Sequence, residues 1–263
     1  MKIISLNTWG ARAGHSEFLD FFKQYWNKAD VFCLQETWHI NQQDEVTKKH
    51  VEGLLEGAIV GGVVLKGMMT DLFSRVGDIL TDYDGFFRPH YGNHYGLAMF
   101  IHKNVKLIKE GDVFVFKHRE FIPTGDVGGH ARNIQYATIQ TSVGLRTVVN
   151  FHGLWNGKGK NDTTDRLEQS ERIIEFIKQI SHPVIICGDF NLLPDTESLK
   201  KFEYMGLKNL IKELHITSTR TSFYKKPEKF ADYIFVSQDV KVNEFKLLPE
   251  EVSDHSAMYL DFS

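Results

Sequence analysis

Cysteine is scarce in this 263-residue chain: Cys33 and Cys187 are its only two. A disulfide framework needs more, and no cysteine spacing fits a zinc site. Both lie inside apolar runs, which predicts buried, reduced thiols. Long hydrophobic runs are missing too. No stretch nears the roughly 20 apolar residues that span a membrane. The start, Met1-Lys2-Ile3-Ile4-Ser5-Leu6-Asn7, has no long apolar region ahead of a cleavage site. A soluble, cytoplasmic protein without membrane insertion is expected. Basic excess is absent as well, since Lys and Arg total 31 against 34 Asp and Glu, a formal net charge of -3. The global positive field that drives nonspecific DNA binding is therefore lacking. No internal repeat, low-complexity tract or linker appears.

What remains is an ordinary globular composition, 42% hydrophobic and 25% charged. A chain of this length buries a sizeable core without staples. Residues 2–6 and 31–34 read as buried strands. Between them Phe18, Leu19, Phe21, Phe22 and Tyr25 recur at near-helical spacing, with Ser16 as N-cap. The charged segment 44–55 reads as a further helix. Residues 96–102, 113–116, 134–140 and 145–151 read as antiparallel strands, the last two joined by a turn at Ser142-Val143-Gly144. Residues 164–180 form an amphipathic helix with Leu167, Ile173, Ile174 and Ile177 on one side. A strand at 184–187, a helix at 196–205 and strands at 230–236 and 258–262 complete the pattern. Helices and strands mixed in this way imply an α/β or α+β sandwich, with the topology left open.

Six short motifs follow apolar runs in order. They are Ile3-Ile4-Ser5-Leu6-Asn7-Thr8-Trp9, Val31-Phe32-Cys33-Leu34-Gln35-Glu36-Thr37, Val148-Val149-Asn150-Phe151-His152-Gly153, Val184-Ile185-Ile186-Cys187-Gly188-Asp189-Phe190-Asn191, Ala231-Asp232-Tyr233-Ile234-Phe235-Val236 and Val252-Ser253-Asp254-His255-Ser256. Each puts a metal-ligating or proton-handling side chain at or near a strand end. They run from Asn7 to His255, so both ends of the chain must help build one site. That favours a single domain over 1–263. A carboxylate such as Glu36, projecting from a strand end, is a hard oxygen ligand suited to Mg²⁺. In Gly188-Asp189-Phe190-Asn191 the glycine permits close backbone approach, and two polar side chains can flank one reacting group. Neighbours Asp254 and His255 face opposite ways on a strand, so Asp232 is the better partner for the imidazole. Taken singly, each motif has an ordinary structural explanation: an exposed Glu, a Gly-Asp turn, a surface Asp-His pair.

The ordered set resembles the endonuclease/exonuclease/phosphatase superfamily over nearly the whole chain. The resemblance implies an α+β fold, a four-layer α/β sandwich of two packed, mostly antiparallel sheets flanked by helices, with the site at one sheet edge. It implies phosphoester hydrolysis with Mg²⁺ or Mn²⁺. It makes Glu36 the principal metal ligand, Asn7 a nearby metal or phosphate contact, and Asp254 part of the metal site. It makes Asp189 the residue that orients or deprotonates water and Asn191 the one that holds the scissile phosphate. His255 would stand beside the phosphoryl group, supported by Asp232, and His152 would contact the phosphate or assist the leaving group. Arg132 matches an arginine that approaches substrate phosphate in part of the family. One departure is visible. The deoxyribonuclease branch places a glutamate where this chain has His94 and Tyr95, which puts a charged acid pair at His152 in doubt.

Trp155 and Tyr91 are candidates to stack a base or line a headgroup pocket, or simply to pack. Lys158, Lys160, Lys225, Lys226 and Lys229 fall in expected loops, where a solvated face is the default and a phosphate-steering rim the alternative. Segments 61–91 and 120–132 read as the loops that choose the substrate. The expected activity is a metal-dependent nuclease, acting as a monomer on a phosphodiester of nucleic acid. Hydrolysis of a lipid or inositol phosphate headgroup is the alternative, as is a relative that binds without catalysis.

Overall fold

The computed structural model describes residues 1–40, 67–121 and 129–263. The helix expected at 44–55 lies outside them. Among the described residues, twelve strands form two sheets of six. The first holds β1 (Lys2–Asn7), β2 (Val31–Trp38), β3 (Tyr83–Tyr91), β4 (Tyr95–His102), β11 (Val242–Leu247) and β12 (Met258–Phe262), in the order β11-β12-β1-β2-β4-β3. The second holds β5 (Lys106–Phe116), β6 (Arg132–Thr141), β7 (Gly144–His152), β8 (Val184–Asp189), β9 (Lys208–Asn209) and β10 (Asp232–Val236), in the order β5-β6-β7-β8-β10-β9. Pairing is antiparallel except β1 with β2 and β7 with β8. The helices among the described residues are α1 (His15–Tyr25), α2 (Leu72–Ile79), α3 (Thr164–Lys178), α4 (Glu197–Tyr204) and α5 (Leu210–Glu213).

Side-chain alternation explains the layers. On the central strands of the first sheet, Ile3, Val31, Cys33, Met99 and Ile101 join the large core shared with the second sheet. Their neighbours Ile4, Leu6, Phe32, Leu34, Ala98 and Phe100 join a second core with Phe18, Phe21 and Phe22 of α1 and Leu72 and Val76 of α2. A strand of period two that is buried on both faces must be apolar throughout, and these are. On the outer face of the second sheet, α3 and α4 contribute Ile173, Ile177, Leu199 and Phe202. Both cysteines are buried and free.

Polar side chains interrupt the interior just below the strand ends. Gln35 Nε2 donates to Asn150 Oδ1 at 2.7 Å. Asn150 Nδ2 donates to the carbonyls of Leu34 and Ala98, each at 3.1 Å, and to Gln135 Oε1 at 3.2 Å. Asn150 is fully buried, so each of these bonds is needed to offset its desolvation. The cluster ties one sheet to the other.

Several sequence expectations need correction. Ser16 lies inside α1, whose N-cap is Gly14 with no side-chain cap. The apolar spacing of α1 sets its buried face but does not fix its first residue. Segment 61–91 is not all loop, for α2 and β3 occupy its described part. Strand β11 was not anticipated, because its outward edge carries Asn243, Glu244 and Lys246. The buried face of α3 includes Arg166, Gln169 and Ser170, while Leu167 and Ile174 are only half-buried.

Candidate functional site

Strand pairing builds the site. Parallel β1 and β2 set Asn7 beside Gln35, and parallel β7 and β8 set His152 beside Asp189. Antiparallel β10 begins opposite the end of β8, which puts Asp232 against Asp189. Asn7 shares the inward parity of Ile3, so it faces the second sheet across the core.

Glu36 has the wrong parity. It shares the parity of Phe32 and Leu34, which face the helices. A distortion of the strand corrects this. Glu36 has φ +53°, and the ladder to β4 shifts register between Leu34 and Thr37. A bulge re-aims a side chain in this way, and the positive φ at a non-glycine residue costs about 1–3 kcal/mol. The turned carboxylate meets Asn7, whose Nδ2 donates to Glu36 Oε1 at 3.2 Å and to Asp189 Oδ2 at 2.9 Å. Asn7 Oδ1 accepts from the Trp9 N–H at 3.0 Å, which fixes the amide's orientation.

Asp189 Oδ1 accepts from the Asn191 N–H at 2.8 Å. Asn191 has φ +55°, a conformation asparagine tolerates better than most residues. Its Nδ2 donates to the Gly153 carbonyl at 3.2 Å. The ends of β7 and β8 approach too closely for side chains. A Cβ on Gly153 would sit 2.1 Å from the Phe190 carbonyl oxygen, and one on Gly188 would sit 2.0 Å from that of Phe151. Burial alone would raise the Asp189 carboxyl, but His255, Lys160, His152 and Arg220 together outweigh it and hold it below the usual carboxylate range.

His255 Nδ1 lies 2.8 and 2.9 Å from the two oxygens of Asp232. The Asp232 strand start is held in turn by Thr219, whose Oγ1 accepts from the N–H groups of Ala231 and Asp232 at 3.1 and 3.3 Å. Burial works against the imidazolium of His255. So does the Arg220 charge, but Asp232, Asp254 and Asp189 together outweigh both, so the pKa rises. Nε2 faces Asp189 Oδ2 at 3.6 Å and Asp254 Oδ1 at 3.7 Å. Asp254 Oδ2 accepts from Arg220 Nη1 at 3.2 Å.

His152 behaves differently. Its Nε2 lies 3.9 Å from Glu36 Oε1 and 3.8 Å from Asp189 Oδ2, and its buried Nδ1 has no hydrogen-bond partner. Burial and the Arg132 charge push its pKa down to about 3, so it is neutral at pH 7. Tyr95 opens β4 near this histidine, with its ring 5.4 Å from His90, which in turn lies 6.0 Å from His152. Arg132 is buried rather than solvated. Its Nε donates to the Gly153 carbonyl at 3.1 Å and its Nη1 is without a partner. Tyr91 ends β3 and packs on His94 and His130, and Trp155 is half-buried under Lys226 at 5.6 Å.

The donor set fits a divalent cation. Glu36, His152 and Asp189 offer ligand atoms within 4.8 Å of one another, as do Asp189, Asp232 and His255. In the second set both Asp232 oxygens are engaged by His255. In the first, the Glu36 side chain is 22% exposed and open to an incoming ligand. Burial raises its pKa, and Asp254 and Asp189 add to that against His255 and Asn7. Asp254 Oδ1 is buried with no hydrogen-bond partner. Crowded carboxylate oxygens of this kind suit Mg²⁺ or Mn²⁺.

Sequence reasoning misjudged Lys160, which is 4% exposed, whereas Lys158, Lys225, Lys226 and Lys229 are exposed. It missed Arg220, whose guanidinium pairs with Asp254 and lies 4.0 Å over the Tyr224 ring. Neither lies in an apolar-run motif. The available signal was the pair of glycines, Gly157 and Gly159, both at φ +72°, which fold the chain back before Lys160.

Residues 4–255 match the Endonuclease/Exonuclease/phosphatase family. No curated protein matches the sequence. Among solved structures, an endonuclease/exonuclease/phosphatase from Bacteroides vulgatus is 17% identical with a TM-score of 0.68, covering 100% of this chain and 98% of that one. A Bacteroides thetaiotaomicron mannosyl-6-phosphatase is 14% identical with a TM-score of 0.67, covering 100% and 99%. The D. rerio TDP2 complexed with single-strand DNA product is 18% identical with a TM-score of 0.65, covering 100% and 98%.

Proposed function

We propose, for a chain that belongs to the endonuclease/exonuclease/phosphatase family, that it is a Mg²⁺- or Mn²⁺-dependent nuclease, cleaving phosphodiesters as a soluble cytoplasmic monomer. The observation that carries this reading is the continuous polar chain from Asp232 through His255, Asp189 and Asn7 to Glu36. It combines an imidazole whose charged form is favoured, a fixed carboxylate and an open ligand carboxylate around one space.

A divalent ion held by Glu36, with Asn7 and Asp254, would supply Lewis-acid charge to a phosphate oxygen. Asp189 orients the attacking water. A carboxylate held below its usual range is a weak base, so positioning matters more than proton removal. His255, whose charged form Asp232 favours, presents Nε2 to the phosphoryl oxygens and stabilises the extra negative charge of the transition state. Asn191 spends one N–H on Gly153 and keeps the other for phosphate. Arg132 Nη1 supplies a further donor. His152, neutral at pH 7, exchanges a hydrogen bond with the leaving oxygen through Nε2.

A phosphatase acting on a small headgroup is the second reading. The net charge of -3 favours it, as does a mannosyl-6-phosphatase of equal structural likeness. A panel assay with Mg²⁺ or Mn²⁺ separates the two, using single-stranded, duplex and abasic DNA, RNA, sphingomyelin and inositol phosphates. Cleavage of a nucleic acid is expected. Turnover of headgroup esters alone would replace the nuclease reading with the second one.

A further inference from the structure

Lysine is seldom fully buried without a partner, because desolvating an ammonium is costly. Lys160 is 4% exposed, and its Nζ makes no hydrogen bond. The backbone around it is held firmly. Its carbonyl accepts from the Leu193 N–H at 2.9 Å. The buried Arg166 donates to the carbonyls of Gly159 at 2.8 Å, Asn161 at 2.5 Å and Leu154 at 3.1 Å. Asp162 accepts from the N–H groups of Glu197 and Ser198 at 2.7 and 3.0 Å, which pins the same loop to the start of α4. The ammonium lies within electrostatic reach of Asp189, Asp232, Asp254 and Arg220. It stands 5.9 Å from the Tyr224 ring that also carries Arg220.

We propose that the Lys160 ammonium binds a nonbridging oxygen of the substrate phosphoryl group, as a fixed cation on the Asp189–Asp232 side of the site. The inference rests on the phosphoesterase reading. A charge held in place by a pinned loop needs no reorganisation when an anion arrives. An ammonium with three donors and no acceptor gains one when a phosphate oxygen enters. A lysine that served only as countercharge to the carboxylates would gain from bonding one of them, and it bonds none.

The test is titration of the metal-free protein with inorganic phosphate, followed by NMR of side-chain-labelled lysines. The Lys160 signal is identified by its loss in Lys160→Arg, which keeps the buried charge. The wild-type Lys160 signal should shift saturably with phosphate. Lys160→Gln should bind phosphate about tenfold or more weakly, the cost of losing a charged hydrogen bond. Lys160→Arg should keep most of the affinity, and Lys241→Gln, at an exposed position ahead of β11, should keep all of it. A Lys160 signal unmoved while other site signals saturate would overturn the proposal, as would wild-type affinity in a folded Lys160→Gln. The wild-type signal decides the question if that variant fails to fold. The hydrolysis panel is read separately: phosphate bound at Lys160 with no ester cleaved would count against the hydrolase reading alone.

Discussion

Asp232 grips His255 through both carboxylate oxygens, at 2.8 and 2.9 Å from one ring nitrogen, although the two residues come from separate elements. This leaves Nε2 as the working atom. Asp232→Asn should keep the fold, lower the His255 pKa and lower kcat. If the two residues act as a unit, their effects are non-additive. A double-mutant cycle on kcat/KM checks this; strict additivity would refute the coupling.

Asp189→Asn should cut the chemical step by about 10²- to 10⁴-fold, the range for a positioned acid–base group. Substrate binding should change little, because a water-orienting group acts mainly in the transition state. Single-turnover kinetics separate the two. Near wild-type turnover would remove Asp189 from the reaction.

Activity should vanish with a chelator and return with Mg²⁺ or Mn²⁺. Either ion should raise Tm in the wild type by mass action, and should do so much less in Glu36→Gln. Full turnover after exhaustive metal removal would sink the metal assignment.

His152 makes stability depend on pH. Its folded pKa of about 3 is depressed from the ordinary value of 6.5, so the unfolded chain binds the proton first. The stability it contributes is present above 6.5 and lost as pH falls from there through about 3. His152→Asn should flatten that acid limb in urea unfolding of the metal-free protein. An unchanged limb would show that other groups set it.

Nucleic-acid binding would fall with added salt. Removing Lys158 and Lys225 together should make the slope of log K against log salt shallower, by about 0.7–0.9 for each phosphate no longer neutralised. Salt-insensitive cleavage of a headgroup ester, with no nucleic acid cut, would favour the phosphatase reading.

Much of this was legible in sequence, for identifiable reasons. Strand β8 opens as an unbroken apolar run of four residues, and its end carries Asp189, one of the polar residues that meet in the site. The membership of Glu36 could be inferred from order, but its aim could not. Parity alone turns it toward the helices, and only the backbone distortion brings it inward. Strand β11 hid behind its solvated residues. Lys160 and Lys158 look alike in sequence, two residues apart, yet one is buried and the other is not. What separates them is Arg166, reaching from a helix to fold their loop back, an interaction no local pattern carries.

The amide cluster around Asn150 bears on how this protein can be improved. Glu36 hangs from one sheet and Asp189 from the other, so their separation depends on how the sheets are aligned. Oil-like packing resists sliding only through shape, whereas the three directional bonds by which Asn150 reaches the first sheet allow one alignment. A thermostability campaign that fills the interior with leucine would find Asn150 an attractive target and would select for melting temperature at the expense of turnover. Screens on this scaffold should therefore score activity from the first round and hold Gln35, Gln135 and Asn150 fixed.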